Sequence, residues 1–425
     1  MNNKNNLWLN DLQRKREKGP TLHKASYSEF NDSTKSVHAG QYNDPTTRAL
    51  GTPIFQCSTF YLNEASYKAI DEGRGRDEMI YSRYGNPSQW SVQEKLSSLE
   101  NAESSIVFSS GMAAISSTLL ALLDKGSHVV SSRDIYGGTY NFLYEDLYRY
   151  GMSVTFTSPT NIEAIEAAIQ ENTKVLYFEA LTNPLLKITP LKDLVALGKK
   201  HNLRVIIDNT FLTPYNVKPL ELGVDLVVNS ATKYLNGHSD LIGGTVSGSR
   251  KLIDSIWPQM LKNGGSMDPH ACFLLERSLK TFALRMRTHN DNALQLAYFL
   301  EANENIKRVY YPGLLSHNQY ELAQSQMKGK YSGMISFEVQ GGNENAHKLL
   351  SYLKLPKEAT SLGGVESLIS LPYNTSQASL TKVQQKTIGI NEGLIRLSVG
   401  IEDIEDLILD FEQAINNVFK KELVC

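Results

Sequence analysis

Cysteine is scarce: the 425 residues contain three, Cys57, Cys272 and Cys425. They are far apart, form no CxxC pair and have no histidine at ligand spacing, which excludes a disulfide framework or a zinc module and makes a reduced, cytoplasmic compartment the expectation. An excess of either charge is missing too, since 43 basic and 45 acidic residues leave a formal net charge of -2. That balance gives no electrostatic footprint for nucleic acid or for an anionic membrane surface. No apolar run is long enough to span a bilayer, and the first residues, with the basic stretch QRKREK at 13–18, lack the apolar core of a signal peptide. Internal repeats and low-complexity tracts are also lacking. Small molecules and further protein subunits are the partners left.

What is present is enough apolar material, 41% of the chain, for more than one core. Residues 1–85 are polar and rich in turn signals, including Gly19-Pro20, Thr52-Pro53 and the charged run DEGRGRDE at 71–78. Such a segment cannot build a core alone, so it is expected to be an arm that packs on a neighbouring subunit. From 86 to 284 short β-branched runs alternate with helix-period segments. The runs SSIVFS (104–109), HVVSS (128–132), SVTFTS (153–158), KVLYFEA (174–180), RVIIDN (204–209) and DLVVNS (225–230) predict strands. Residues 112–124, 139–150 and 191–201 predict helices, the last with Pro190 suited to its first turn. Alternation of this kind predicts an α/β fold whose mostly parallel sheet is covered on both faces. A long helical stretch from about 270 leads into a smaller C-terminal α/β unit, 285–425, with strand-like YSGMISFEV (331–339) and LIRLSVG (394–400) and a last helix over 403–419.

In such sheets ligands bind beyond the carboxyl ends of the strands. Asp208 closes one predicted strand, and Ser230, Thr232 and Lys233 follow the next. A carboxylate and a lysine at neighbouring strand ends suit opposite sides of one planar ligand. For pyridoxal 5'-phosphate (PLP), the lysine forms a Schiff base with the aldehyde and the carboxylate keeps the pyridine nitrogen protonated, so that the ring accepts the electrons of a carbanion. Ser230, Thr232 and the backbone N–H groups of Gly111 and Met112, at a helix start, suit the phosphate. Tyr136 suits stacking on the ring, Asn183 its phenolic oxygen, and the pair Tyr81 and Arg83 the phosphate again. Arg396 lies inside an apolar strand, where a charge needs a partner such as a substrate carboxylate. Singly, each also has a plain structural reading: a surface lysine, a helix cap, a packed aromatic, a turn.

Together, KSVHAG (35–40), PIFQCSTF (53–60), YSRYGNP (81–87), FSSGMAAI (108–115), IYGGTY (135–140), TNP (182–184), DNTF (208–211), NSATKYLNGHSD (229–240), SLGGVESLISLP (361–372) and RLSVGIED (396–403) resemble the Cys/Met-metabolism PLP enzymes from about Thr34 to the last helix. The resemblance implies the aspartate-aminotransferase-like fold (fold type I) and a homotetramer built as a dimer of dimers. It implies catalytic roles for Lys233, which moves protons between substrate carbons, for Tyr136 and for Asp208. Gly111, Met112, Ser230 and Thr232 hold the phosphate, joined by Tyr81 and Arg83 from the neighbouring subunit. Ser361, Arg396, Asn183 and Thr375 face substrate, with Asn183 also facing the cofactor's oxygen.

Departures narrow the reading. Thr360 stands where many cystathionine-handling members carry glutamate, Gly138 stands where methionine γ-lyases carry cysteine, and Ser376 and Gln377 follow Thr375 where the family has a Thr-His pair. The activity expected is γ-elimination from a γ-substituted L-amino acid, giving a 2-oxo acid and ammonia. A γ-substitution transferase is the second reading, and a PLP-binding protein without turnover the third.

Overall fold

A computed structural model describes residues 27–420, apart from Ser28, Pro45 and residues 376–381. The basic N-terminal run, Cys425, Ser376 and Gln377 therefore lie outside the described residues. Seven strands form the larger sheet: β1 (Ser104–Phe108), β2 (His128–Ser132), β3 (Ser153–Thr157), β4 (Thr173–Glu179), β5 (Arg204–Asp208), β6 (Leu226–Ser230) and β7 (Gly244–Gly248). Their order is β1-β7-β6-β5-β4-β2-β3. β3, β2, β4, β5 and β6 run parallel, and β7 is antiparallel to both β1 and β6.

The period-two geometry of a strand explains why both faces are covered. Val107, Val130, Leu176, Phe178, Ile207 and Val227 point into one core, whereas Ile106, Phe108, Val129, Val175, Tyr177, Ile206 and Val228 point into the other. Each predicted strand of this region is found within two residues of its expected ends. β7 was not expected, because GTVSG carries only one β-branched apolar residue.

Helix starts follow local capping chemistry. Ser110 caps Gly111–Leu122 by accepting the Ala113 amide at 3.1 Å, and Asn86 with Pro87 opens Pro87–Glu100. The segment expected as one helix over 139–150 is broken, with a π turn at Phe142–Asp146 between two short α pieces. The long stretch after 270 likewise divides into Pro269–Leu279 and Phe282–Ala302.

A second sheet, ordered β10-β11-β12-β9-β8, contains β8 (Ile306–Tyr310), β9 (Met334–Val339), β10 (Lys357–Glu358), β11 (Leu368–Ser370) and β12 (Leu394–Ser398). The last helix is Ile404–Phe419. In the polar segment, Leu50, Tyr61 and Tyr67 are exposed. Its end is tied to the body of its own chain, where Arg76 donates to Asp254 (2.8 Å), the Ser104 hydroxyl (3.1 Å) and the Ser105 carbonyl (2.7 Å). No helix among the described residues is long and apolar enough to cross a membrane.

Candidate active site

The carboxyl ends of the parallel strands and the edge of the second sheet enclose a cleft of about 640 Å³. Every site residue expected from sequence lines it except Tyr81 and Arg83. The parallel arrangement brings them together: β4, β5 and β6 end side by side, so Asn183, Asp208, Ser230 and Lys233 leave one rim. β12 contributes Arg396, and the loop before β11 contributes Thr360 and Ser361.

Lys233 follows β6 and donates to the Ser361 hydroxyl at 2.9 Å. Burial, and then the positive charge of Arg396, push its amine down to about 8. Asp208 is buried, and its carboxylate accepts the Thr210 amide at 3.0 Å and, at 3.4 Å, the Tyr177 hydroxyl. Burial raises its pKa against the lowering effect of those hydrogen bonds. No lysine, arginine or histidine among the described residues lies within ion-pair distance of it. The Thr210 hydroxyl accepts the Ser230 amide at 2.8 Å, which ties the two strand ends together.

At the helix start, Ser110 takes the Ala113 amide and leaves those of Gly111 and Met112 without hydrogen bonds among the described residues. Ser230 keeps its hydroxyl uncommitted, whereas that of Thr232 accepts the Gly243 amide at 3.0 Å and donates to the Gly243 carbonyl at 3.3 Å. Tyr136 is half exposed at the cleft mouth. Gly138 admits its ring: a Cβ there would stand 2.6 Å from Tyr136 Cε1.

Arg396 is buried without a carboxylate within ion-pair distance among the described residues. It donates to the carbonyls of Thr360 (2.9 Å) and Ser361 (3.2 Å) and, at 3.3 Å, to the Asn183 side chain. Burial pushes its guanidinium down to about 10. Thr375 turns its hydroxyl to the Leu371 carbonyl at 2.7 Å.

Tyr81 and Arg83 lie elsewhere on the chain. Arg83 donates to the Leu261 carbonyl at 2.9 Å and stacks against Tyr81 and Tyr84, with its guanidinium carbon 5.7 Å and 5.3 Å from their ring centres. The lining residues therefore include no cation of this chain other than Lys233 and Arg396.

Sequence reasoning missed Glu179. It closes β4 as Asp208 closes β5, and the rule that picked out Asp208, a carboxylate ending a buried apolar strand, applies to KVLYFEA as well. Thr210 carried no signal beyond its place in DNTF.

The profile of the Cys/Met metabolism PLP-dependent enzymes matches residues 33–416. An L-methionine γ-lyase of Fusobacterium nucleatum is 42% identical over 388 residues, which cover 91% of this chain and 98% of that protein. A cystathionine β-lyase of Lactococcus lactis is also 42% identical over 388 residues, covering 90% and 98%. Among solved structures, the cystathionine γ-lyase of Lactobacillus plantarum complexed with L-serine superposes with a TM-score of 0.85 at 37% identity, covering 91% of this chain and 99% of that one. Relatives with different reactions stand at equal identity, so identity alone does not select the reaction. With the matched profile spanning most of the chain and the cleft lined by the residues its motifs predict, this chain belongs to the Cys/Met metabolism PLP-dependent enzyme family.

Proposed function

We propose that this chain is a γ-elimination lyase that acts on L-amino acids with a neutral γ substituent and releases a 2-oxo acid and ammonia. We further propose an organisation into an arm (1–85), a cofactor-binding unit (86–284) and a C-terminal unit (285–425), assembled in the cytoplasm as a dimer of dimers.

The donor set of the cleft fits PLP. Asp208 is a buried carboxylate without a cationic partner among the described residues, suited to a protonated ring nitrogen. The uncommitted amides of Gly111 and Met112 and the hydroxyl of Ser230 suit a phosphate at a helix start. When bound, the cofactor supplies an aldehyde that condenses with amines and a ring that takes up electrons released at the substrate's α carbon.

The chain's own residues would then do the following. Arg396 binds the α-carboxylate through its remaining donors, held by the carbonyls of residues 360 and 361. With its pKa near 8, the Lys233 amine is uncharged in a useful fraction of molecules at neutral pH. It takes the proton from the α carbon and moves protons at the β carbon. The Ser361 hydroxyl orients that amine, and the Tyr136 phenol serves the leaving group at the mouth.

The observation that carries this reading is the placement of Arg396, Lys233 and Asp208 around one cleft. The neutral γ substituent follows from the rest of the lining: Ile115, Ile242, Leu362 and Thr360 offer no charge, and the carboxylates present are Glu179 and Asp208. At Thr360, where many cystathionine-handling members carry a glutamate, a distal ammonium would find no charged partner.

A panel of methionine, O-acetylhomoserine and cystathionine, with and without an added thiol, tests this. The expected result is 2-oxobutyrate from the neutral substrates, with kcat/KM at least ~10-fold above that for cystathionine. Pyruvate as the main product from cystathionine would mean β-elimination. A thiol adduct in place of the oxo acid would mean a transferase.

Among the described residues no arginine of the chain's own lines the phosphate cradle, which supports sharing of the site, with Tyr81 and Arg83 supplied by a neighbouring subunit. Mixing inactive Lys233→Ala and Arg83→Ala chains should then restore roughly a quarter of wild-type activity after random reassortment. No recovery in confirmed hybrids would place Arg83 in service of its own chain.

A further inference from the structure

Glu179 faces the cleft and has no part in the reaction as proposed. β4 and β5 pair in parallel with Glu179 opposite Asp208, so two carboxylates leave adjacent strands whose backbones are about 4.8 Å apart. Both are buried, and neither has a cation within ion-pair distance among the described residues. Their surroundings differ. Asp208 accepts two hydrogen bonds, from the Thr210 amide and the Tyr177 hydroxyl. Glu179 accepts the Tyr136 amide on Oε1 at 2.7 Å and is also favoured in its ionised form by the Asn183 amide, while Oε2 is buried and makes no hydrogen bond of normal geometry.

Two carboxylates in one water-poor site do not both ionise without a counter-charge. Of the other titratable groups facing Glu179, one adds to that pressure. Asp134, after β2, is acidic and already paired with Lys187 at 3.1 Å, and Tyr177 of β4 itself is a neutral phenol. Burial first, and the Asp208 charge second, push the Glu179 carboxyl well above the usual range.

We propose that Glu179 is a positioning residue that carries a proton at working pH: as a neutral acid it anchors Tyr136 through its backbone amide and leaves Asp208 as the only negative charge of the pair. One oxygen holds the aromatic at the cleft mouth. The proton on the other removes the repulsion that would otherwise neutralise Asp208. The use made of the Asp208 charge rests on the reading in the preceding section; the protonation of Glu179 does not.

Substitution of Glu179 by an isosteric neutral residue tests it. Glu179→Gln keeps an acceptor for the Tyr136 amide and keeps the site uncharged, so kcat/KM should stay within about threefold of wild type. Glu179→Ala leaves that part-buried amide unpaired and should lower kcat/KM at least ~10-fold. A packing role would separate these two variants in the same way, because glutamine fills the space that alanine leaves empty, so the protonation itself is read spectroscopically.

The second readout needs no substrate. Infrared difference spectra of holoenzyme and of the cofactor-free full chain, wild type minus Glu179→Gln, should show the carbonyl stretch of a protonated carboxylic acid at neutral pH. A glutamine variant as impaired as the alanine variant, a glutamine variant that fails to fold, or a carboxylate band in place of the acid band would each overturn the proposal. Failure of the substrate panel with the acid band present would instead count against the proposed reaction alone.

Discussion

Arg285 behind the Lys233 loop and Arg396 in front of it are both buried, at 4% and 3% exposure, and burial pushes both guanidiniums down to about 10. Behind the loop every nitrogen of Arg285 is occupied. Nη1 donates to the Tyr234 carbonyl (2.7 Å), Nη2 to the carbonyls of Leu235 (3.2 Å) and Ser278 (3.0 Å), and Nε to the Thr281 hydroxyl (3.3 Å). The fit extends to Gly237, which has φ +73° and where a Cβ would stand 2.0 Å from Arg285 Nη1. In front, Arg396 has two carbonyls on one nitrogen, a long contact to Asn183 on a second, and a side open to the cleft. Burial and a lowered pKa are common to both, so neither marks a binding site. Unspent donors facing a cavity do.

The largest effect that would break the comparison is on turnover. Arg396→Gln should lower kcat/KM by about 10²–10³-fold, mostly through KM, because the carboxylate of bound substrate loses its charged partner. Its melting temperature should hold or rise, since an uncompensated buried charge is removed. Steady-state kinetics beside thermal melts check both parts, and a melt that collapses with kinetics intact would make Arg396 the structural arginine.

Behind the loop the expectation reverses. Arg285→Met leaves the carbonyls of Tyr234, Leu235 and Ser278 without this donor and should cost about 3 kcal/mol. In a chain of this size that corresponds to a fall of roughly 3 °C in melting temperature. Equilibrium unfolding in urea checks it, and stability equal to wild type would mean that the saturated contacts of Arg285 carry no net stabilisation.

These two arginines also show what was legible in the sequence. Arg396 stood out because an arginine inside LIRLSVG breaks the pattern of a buried strand, whereas Arg285 sits in a helix where an arginine is unremarkable. Its role depends on carbonyls some 50 positions away, which only the fold brings near. The same division holds for the sheets. Strands with continuous β-branched runs, β2 to β6, were readable, while β7 and β11 owe their pairing to neighbours more than to their own residues. Asp208 and Lys233 were found from their places at strand ends. Glu179 obeys the same rule, but a ligand with one protonated ring nitrogen calls for one carboxylate, so its chemistry points to no second one.

The smallest effect sharpens the comparison at Lys233, which feels Arg396 from the cleft side. Burial is the larger cause of its depressed pKa and Arg396 the smaller, so Arg396→Gln should raise the pKa from about 8 yet leave it below 10.5. Arg396→Lys, which keeps the charge, should leave it nearly unchanged. Competitive reductive methylation of the cofactor-free full chain across pH, read at the Lys233 peptide, measures both. The sign of the linked stability change is set by proton binding. Between pH 8 and 10.5 the unfolded chain retains a proton that the folded chain has lost, so this group's contribution to stability rises with pH over that window. The window should narrow in the glutamine variant, because its folded-state pKa lies nearer the unfolded value. A return of Lys233 to 10.5 in that variant would make Arg396, not burial, the dominant cause, and the buried arginine in front of the loop would then tune the lysine as well as bind the substrate.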